Sequence, residues 1–164
     1  VSYVGSYVWK LRQKVGSQLL LLPGAQVLVL DDQGRCLLQK RSDNGLWELP
    51  AGACEEGDTF AATAARELEE ETGLHVEEAD LVPFASFSDP GLHTLTYPGG
   101  DVAQCFALCF AAHRWTGSIR PGADEVLRAG FFDPKDPPEP LYRATAAVLE
   151  LYEVFRETGR FQAR

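Results

Sequence analysis

The sequence predicts an α/β domain in which a mixed sheet carries helices packed on it. Three observations lead there. Short apolar runs bounded by Gly, Pro and Asp clusters recur before residue 50 and again between residues 81 and 132, as strands do. Two stretches, residues 59–72 and 141–155, repeat apolar residues at helical spacing. Their order, strands then helix then strands then helix, sets helices against a sheet. At 164 residues, without an internal repeat or a low-complexity tract, the chain reads as one domain over 1–164.

The elements follow in order. Val4, Val8, Leu11 and Val15 recur at helical spacing, so Ser2 to Lys14 is expected as a short amphipathic helix ended by Gly16-Ser17, within an N-terminal extension over 1–22. It serves either packing, dimer formation or substrate contact. A chain that starts at Val1 rather than Met reads as trimmed or partial at that end. Pro23-Gly24 opens two apolar runs, Ala25 to Leu30 and Cys36 to Gln39, which flank Asp31-Asp32-Gln33-Gly34 as a β-hairpin. Ser42 to Gly45 is a polar turn, and Leu46 to Leu49 a short strand stopped by Pro50. Thr59 to Thr72 is helix, with Gly73 as its left-handed cap. Strand pieces fall within His75 to Ser88, a Gly- and Pro-rich loop spans Ser88 to Gly100, and Val102 to Trp115 is a central strand. After a turn over Thr116 to Gly122, Val126 to Phe132 is a strand, and Pro134 to Pro140 a stiff linker. Leu141, Thr145, Val148, Leu149, Tyr152 and Phe155 give the clearest helical stripe, in a C-terminal helix over 139–159 that Gly159 caps.

Composition narrows the function. Fifteen Lys and Arg against 24 Asp and Glu leave a net charge of −9, which argues against a nucleic-acid polymer as partner. A small phosphorylated substrate is still allowed, because a bound metal supplies local positive charge. Cys36, Cys54, Cys105 and Cys109 form no CxxC pair and are expected as reduced thiols in a cytoplasmic protein. The longest apolar run, Leu19 to Leu22, is far too short to span a membrane.

The helix over Thr59 to Thr72 carries the chemistry. Glu67, Glu70 and Glu71 fall within an arc of roughly 100° on it, while Phe60, Ala61, Ala64, Ala65 and Leu68 fill the neighbouring arc toward a core. Three crowded carboxylates repel unless positive charge sits among them, and a divalent cation answers that need. The alternative is a solvated acidic face.

The register of these residues decides between the two. Gly52, five residues, Asp58, seven residues, then Arg66-Glu67-Leu68-Glu69-Glu70-Glu71-Thr72-Gly73-Leu74 resembles the Nudix box, G-x5-E-x7-R-E-U-x-E-E-x-G-U, where U is a bulky aliphatic residue. Eight of the nine fixed positions match, and Asp58 stands where the pattern has Glu. The resemblance implies a Nudix-like α/β/α sandwich with a mixed, curved β-sheet between helices. It also implies a pyrophosphohydrolase that cleaves a phosphoanhydride, usually in a nucleoside diphosphate linked to another group, with Mg²⁺ or Mn²⁺ as cofactor. Metal ligands would be Glu67, Glu70, Glu71 and the Gly52 carbonyl. Arg66 would orient carboxylates with help from the acidic position. Asp58 is one methylene short for that task, which Glu55 or Glu56 would take over, and it also sits where a helix N-cap would be. The catalytic set is Arg66, Glu67, Glu70 and Glu125. The general base comes from Glu67 or Glu70, or from Asp124-Glu125 before the strand Val126 to Phe132, with Glu125 the first choice.

Substrate identity is thinly marked. Ala51 before Gly52, and the placement of Pro90 after the box, lean toward ADP-ribose or a nucleotide sugar over a nucleoside triphosphate or oxidised nucleotide, with a non-catalytic nucleotide sensor as the remaining alternative. The segment Tyr97 to Gln104, YPGGDVAQ, resembles one in small bacterial Nudix proteins, and makes Tyr97, Asp101 and Gln104 candidates to touch base or ribose. Phe87 and Trp47 are candidates to stack on a base, with core packing the alternative for Trp47. His93 and His113 are read as incidental, because Mg²⁺ prefers oxygen. The chain is expected as a monomer or homodimer acting on a small nucleotide, away from membranes.

Overall fold

Everything is laid against β1 (Leu20–Val29), a strand whose faces are both covered. The computed structural model describes residues 3–97, 99–122 and 125–164; Val1, Ser2, Pro98 and Asp124, all drawn into the sequence reading, lie outside them. β1 runs parallel to β8 (Val102–Ala112), in register from Leu20↔Ala103 to Val29↔Ala112. It also runs antiparallel to β4 (Ala51–Ala53). Odd residues Ala25, Val27 and Val29 pack with Ala64 and Leu68 of α2 (Phe60–Thr72) and with Phe110. Even residues Leu28 and Leu30 pack with Phe84, Cys109, Val148 and Tyr152, the last two from α3 (Arg143–Thr158). A strand buried on both faces reads as an unbroken apolar run, and Ala25 to Leu30 does.

The main sheet is completed by β6 (Val82–Phe87), β7 (Thr94–Thr96) and β11 (Gln162–Ala163), in the order β11-β6-β8-β1-β4 with β7 also on β8. A second, antiparallel sheet holds β2 (Cys36–Arg41), β3 (Trp47–Glu48) and β10 (Val126–Phe132) in the order β10-β2-β3. β5 (Leu74–His75) and β9 (Thr116–Gly117) form a small ladder. Mixed strands between α2 and α3 make the expected α/β/α sandwich. Among the described residues no helix is long and apolar enough to cross a membrane, and all four cysteines are free thiols.

Several boundaries differ from expectation. The first helix, α1 (Tyr7–Val15), starts later than Ser2, because Ser6 supplies the cap: its Oγ accepts from the Trp9 N–H at 3.1 Å. Leu30 and Cys36 do pair across the Asp31–Gly34 turn, but β1 and β2 then part into separate sheets. Both edges of β1 are already occupied, by β8 and β4. Gly52, just past the stop expected at Pro50, lies in β4 opposite Ala25, a strand that its Ala-Gly-Ala composition conceals. β7 forms inside the expected loop Ser88 to Gly100 because β8 offers it a free stretch from Val102 to Gln104. The C-terminal helix begins at Arg143, after Tyr142 has given its N–H to the Trp47 carbonyl. α2 matches the expected span, with Gly73 at φ 76° closing it.

Candidate active site

α2 is docked through Ala64 and Leu68, both essentially buried, and that leaves its acidic arc at the sheet edge beside β4. Leu68→Ala would cost roughly 2–5 kcal/mol, so this docking is firm. The contact is close. A Cβ added to Gly52 would run into the Glu67 carboxylate, and a Cβ on Gly24 would stand 2.6 Å from the Gly52 carbonyl oxygen. Only glycine at both positions lets β1 close on the Gly52 carbonyl and the Glu67 carboxylate lie against the Gly52 Cα.

Two arginines hold the carboxylates. Arg66 donates to Glu67 Oε1 at 2.6 Å, to Asp58 Oδ2 at 3.1 Å and to the Ala53 carbonyl at 3.2 Å, with Glu70 Oε2 at 3.8 Å. Asp58 is not the helix cap; Thr59 is, its Oγ1 accepting from the Ala62 N–H. Asp58 instead accepts from Arg66, the Glu55 N–H and the Thr63 hydroxyl, so the shorter acid reaches the arginine unaided. Burial pulls its carboxyl up, but these three donors together hold it below the usual range. Glu55 is used elsewhere: its carboxylate accepts from the Tyr7 N–H and ties α1 to the box loop.

The second arginine, Arg41 at the end of β2, was not anticipated. It lies 3.0 Å from Glu71, 3.3 Å from Glu125, 3.3 Å from Asp43 and 3.5 Å from Glu48. Glu71 is only 4 % exposed and also accepts from the Ala51 N–H at 3.1 Å. Burial pushes its carboxyl up to about 8 against the pull of Arg41, and pushes Glu48 up to about 7 against the same arginine. Fully buried Gln39, opposite Glu48 in the β2–β3 ladder, opposes both shifts. Glu67 is also raised by burial, with Arg66 opposing. Glu125 reaches this cluster because its loop is pinned: its carbonyl accepts from the Ser42 N–H, and the Gly122 N–H donates to the Glu71 carbonyl.

The donor set suits a hard divalent cation. Glu67, Glu70, Glu71 and the Gly52 carbonyl offer only oxygen, and the close glycine contact brings two of them together. Among the described residues, no three acidic, His or Cys side chains already stand as a closed metal cage. Glu67 rests on Arg66 and Glu71 on Arg41, whose charges occupy the role a cation would take.

Arg41, Glu48, Ala51 and Gly52 line a cleft of about 500 Å³ together with Gln26, His93, Tyr97 and Tyr142, while Glu67, Glu70, Glu71 and Glu125 are not among its lining residues. A larger open groove of about 690 Å³ lies at the Asp31–Gln33 turn and contains no box residue. Of the expected substrate contacts, Tyr97 does line the cleft. Phe87 does not; it is fully buried in the core under α3, against the His93 ring. Asp101 is paired with Arg12 of α1 at 3.7 Å. Gln104 lies in β8 between Ala103 and Cys105, which face α1, so strand alternation turns it to the opposite face. Trp47 packs edge-on to Phe132 in the core. The readable signal for Arg41 was its parity with Gln39: two polar residues on one face of an otherwise apolar strand, in a chain whose acidic helix needs counter-charge.

Helices on both faces of a mixed sheet, with a cleft at its edge that Arg41, Asp43 and Glu48 help to line, define an α/β/α domain. The chain belongs to the NUDIX family: the NUDIX domain profile matches residues 20–154. A MutT-like protein of Streptomyces ambofaciens is 38% identical over 80 residues, 47% of this chain and 52% of that protein. The CMP-5'-(N-acetyl-N-hydroxy-3-aminopropyl)phosphonate hydrolase of Streptomyces rubellomurinus is 33% identical over 117 residues, 66% of this chain and 57% of that protein. These matches span about half the length of the relatives. Among solved structures, a MutT NUDIX hydrolase from Burkholderia pseudomallei superposes with a TM-score of 0.64 at 30% identity, covering 80% of this chain and 97% of that one.

Proposed function

We propose that this chain hydrolyses a phosphoanhydride in a nucleoside diphosphate joined to a second group, using Mg²⁺ or Mn²⁺. The observation that carries this reading is the packing of Glu67 onto Gly52, which with Arg41, the partner of buried Glu71, lines a cleft of about 500 Å³. Glu67, Glu70, Glu71 and the Gly52 carbonyl would hold the cation. When bound, it neutralises charge on the phosphate oxygens and lowers the barrier to attack by water. Arg66, anchored by Asp58, keeps Glu67 turned to Gly52. Arg41 offers its guanidinium to the cleft and balances charge that develops on the phosphates. Glu125 takes the proton from the attacking water; the water oxygen bonds to phosphorus, the anhydride P–O bond breaks, and the second phosphate leaves with that oxygen. The CMP-linked phosphonate in the name of the Streptomyces rubellomurinus relative supports a nucleotide joined to a further group. Ala51 and Pro90 keep the lean toward ADP-ribose or a nucleotide sugar.

The test is a panel of ADP-ribose, UDP-glucose, CDP-choline, diadenosine polyphosphates and (d)NTPs with Mg²⁺ or Mn²⁺, scored by the phosphate products. One linked nucleoside diphosphate turned over at least ten-fold faster than any (d)NTP supports the proposal. Faster release of pyrophosphate from a (d)NTP, or no metal-dependent product, would defeat it.

A further inference from the structure

The cleft is also lined by a buried polar pair for which phosphoanhydride chemistry has no use. Gln26, on the even face of β1, is 6 % exposed, and His93, on the segment leading into β7, is 7 % exposed. Their Nε2 atoms are 3.3 Å apart. With the Gln26 amide nitrogen as donor, His93 Nε2 accepts and the ring proton falls on Nδ1, a buried atom that has no hydrogen-bond partner among the described residues. Burial holds the imidazole below its ordinary pKa, with backbone carbonyls of Phe87 and Cys105 pulling the other way, which keeps the acceptor lone pair available. The ring is itself fixed, packed 5.0 Å from the ring of Phe87, and its backbone carbonyl accepts from the Cys105 N–H.

The pair therefore locks one glutamine amide in one orientation. With one N–H spent on His93, the second N–H and the C=O of Gln26 form an adjacent donor and acceptor. That pattern matches the edge of a nucleobase, as glutamine does when it binds adenine through paired contacts. Tyr97 and Tyr142 line the same cleft and supply aromatic faces, and the Tyr142 hydroxyl is steadied by donating to the Leu92 carbonyl at 3.3 Å. Placement along the sheet agrees. Gln26 is the cross-strand partner of Ala51, whose N–H is bonded to Glu71. One strand spacing thus separates the polar pair from the carboxylates, with Gly52 next in line.

We propose that Gln26, oriented by His93, is the base-reading residue of this cleft, and that the substrate is held with its nucleobase on Gln26 and its phosphates toward Arg41 and Gly52. This rests on the hydrolase reading above, and it makes the nucleoside half of the substrate the recognised half.

The experiment is calorimetric titration of the full chain with ADP, GDP, CDP, UDP and inorganic pyrophosphate in Mg²⁺, for wild type, Gln26→Leu and His93→Phe. Wild type should bind at least one nucleoside diphosphate ten-fold or more tighter than pyrophosphate. Gln26→Leu should erase that advantage and leave pyrophosphate affinity within two-fold. His93→Phe, which spares the amide but removes its anchor, should weaken the preferred nucleotide by roughly three- to ten-fold with pyrophosphate again unchanged. Nucleotide affinity unchanged in both variants overturns the assignment, as does parallel loss of pyrophosphate binding in a folded variant. If Gln26→Leu does not fold, the His93→Phe result decides alone. Failure of the hydrolase reading looks different: wild type then releases no Mg²⁺-dependent product from any nucleotide of the panel, whatever the two variants bind.

Discussion

Replacing Arg41 by Met removes the guanidinium that stands within 3.5 Å of Glu71, Glu48, Asp43 and Glu125. Glu71 is the consequential partner, being 4 % exposed, whereas Glu125 and Asp43 are about half exposed and contribute little. Removing one partner of a buried ion pair costs about 3–5 kcal/mol, and the partial exposure of Arg41 lowers that to about 2–4 kcal/mol. In a domain of this size about 1 kcal/mol moves Tm by roughly 2–4 °C, so the variant should melt about 4–16 °C below wild type. The loss depends on pH with a definite sign. Glu48 and Glu71 titrate at about 7 and about 8, so at pH 8.5 most of their charge is present and needs Arg41, while at pH 5.5 both are protonated and the gap should shrink to a few degrees. Differential scanning calorimetry in EDTA at both pH values measures this, and 10 mM Mg²⁺ should close much of the gap at pH 8.5. Arg41→Met melting within about 1 °C of wild type at pH 8.5 in EDTA would refute the idea that this arginine stands in for a cation.

The remaining predictions concern the same cluster. Wild type itself should lose stability in EDTA as pH rises through about 7 and 8, because both carboxyls have folded pKa values above the unfolded value of 4.5. Mg²⁺ should therefore raise Tm more at pH 8.5 than at pH 6, and an equal rise at both would count against carboxylate ligands. Gly52→Ala should keep the circular dichroism of wild type yet weaken Mn²⁺ binding, read by electron paramagnetic resonance, by about ten-fold or more, since the new methyl displaces Glu67. Unchanged Mn²⁺ affinity would remove Glu67 from the ligand set. Asp58→Asn should lower kcat by roughly ten-fold and Asp58→Ala by more, because Arg66 then loses the acid that anchors it; equal activity in all three would mean Arg66 needs no anchor.

What could be read in advance follows the range of the forces involved. α2 was legible to within a residue because its signals are local: Ala64 and Leu68 recur on one side and Gly73 ends it, although the cap is Thr59 and not the expected Asp58. β1 and β8 were legible as apolar runs, but their parallel pairing joins residues 83 apart and leaves no local mark. β4 is the sharper miss. Ala51-Gly52-Ala53 has no strand character of its own, and pairs because β1 needs a partner and Glu67 needs a neighbour without a side chain. The box residues were found through their fixed spacing on one helix and one loop. Arg41, Gln26 and His93 come from three separate segments, and meet only once the second sheet and β7 are in place. The stacking role expected of Phe87 fails for the same reason, since an aromatic residue next to a loop looks alike whether it faces cleft or core.

The central claim is that the acidic face of α2 is catalytic, and it is tested most directly by Mg²⁺-dependent hydrolysis of the best substrate of the panel by Glu70→Gln and Glu71→Gln. Substitution of a carboxylate by its amide keeps size and shape, so circular dichroism should be unchanged, while turnover should fall by roughly a thousand-fold or more in each. Turnover within ten-fold of wild type in both folded variants would contradict the account.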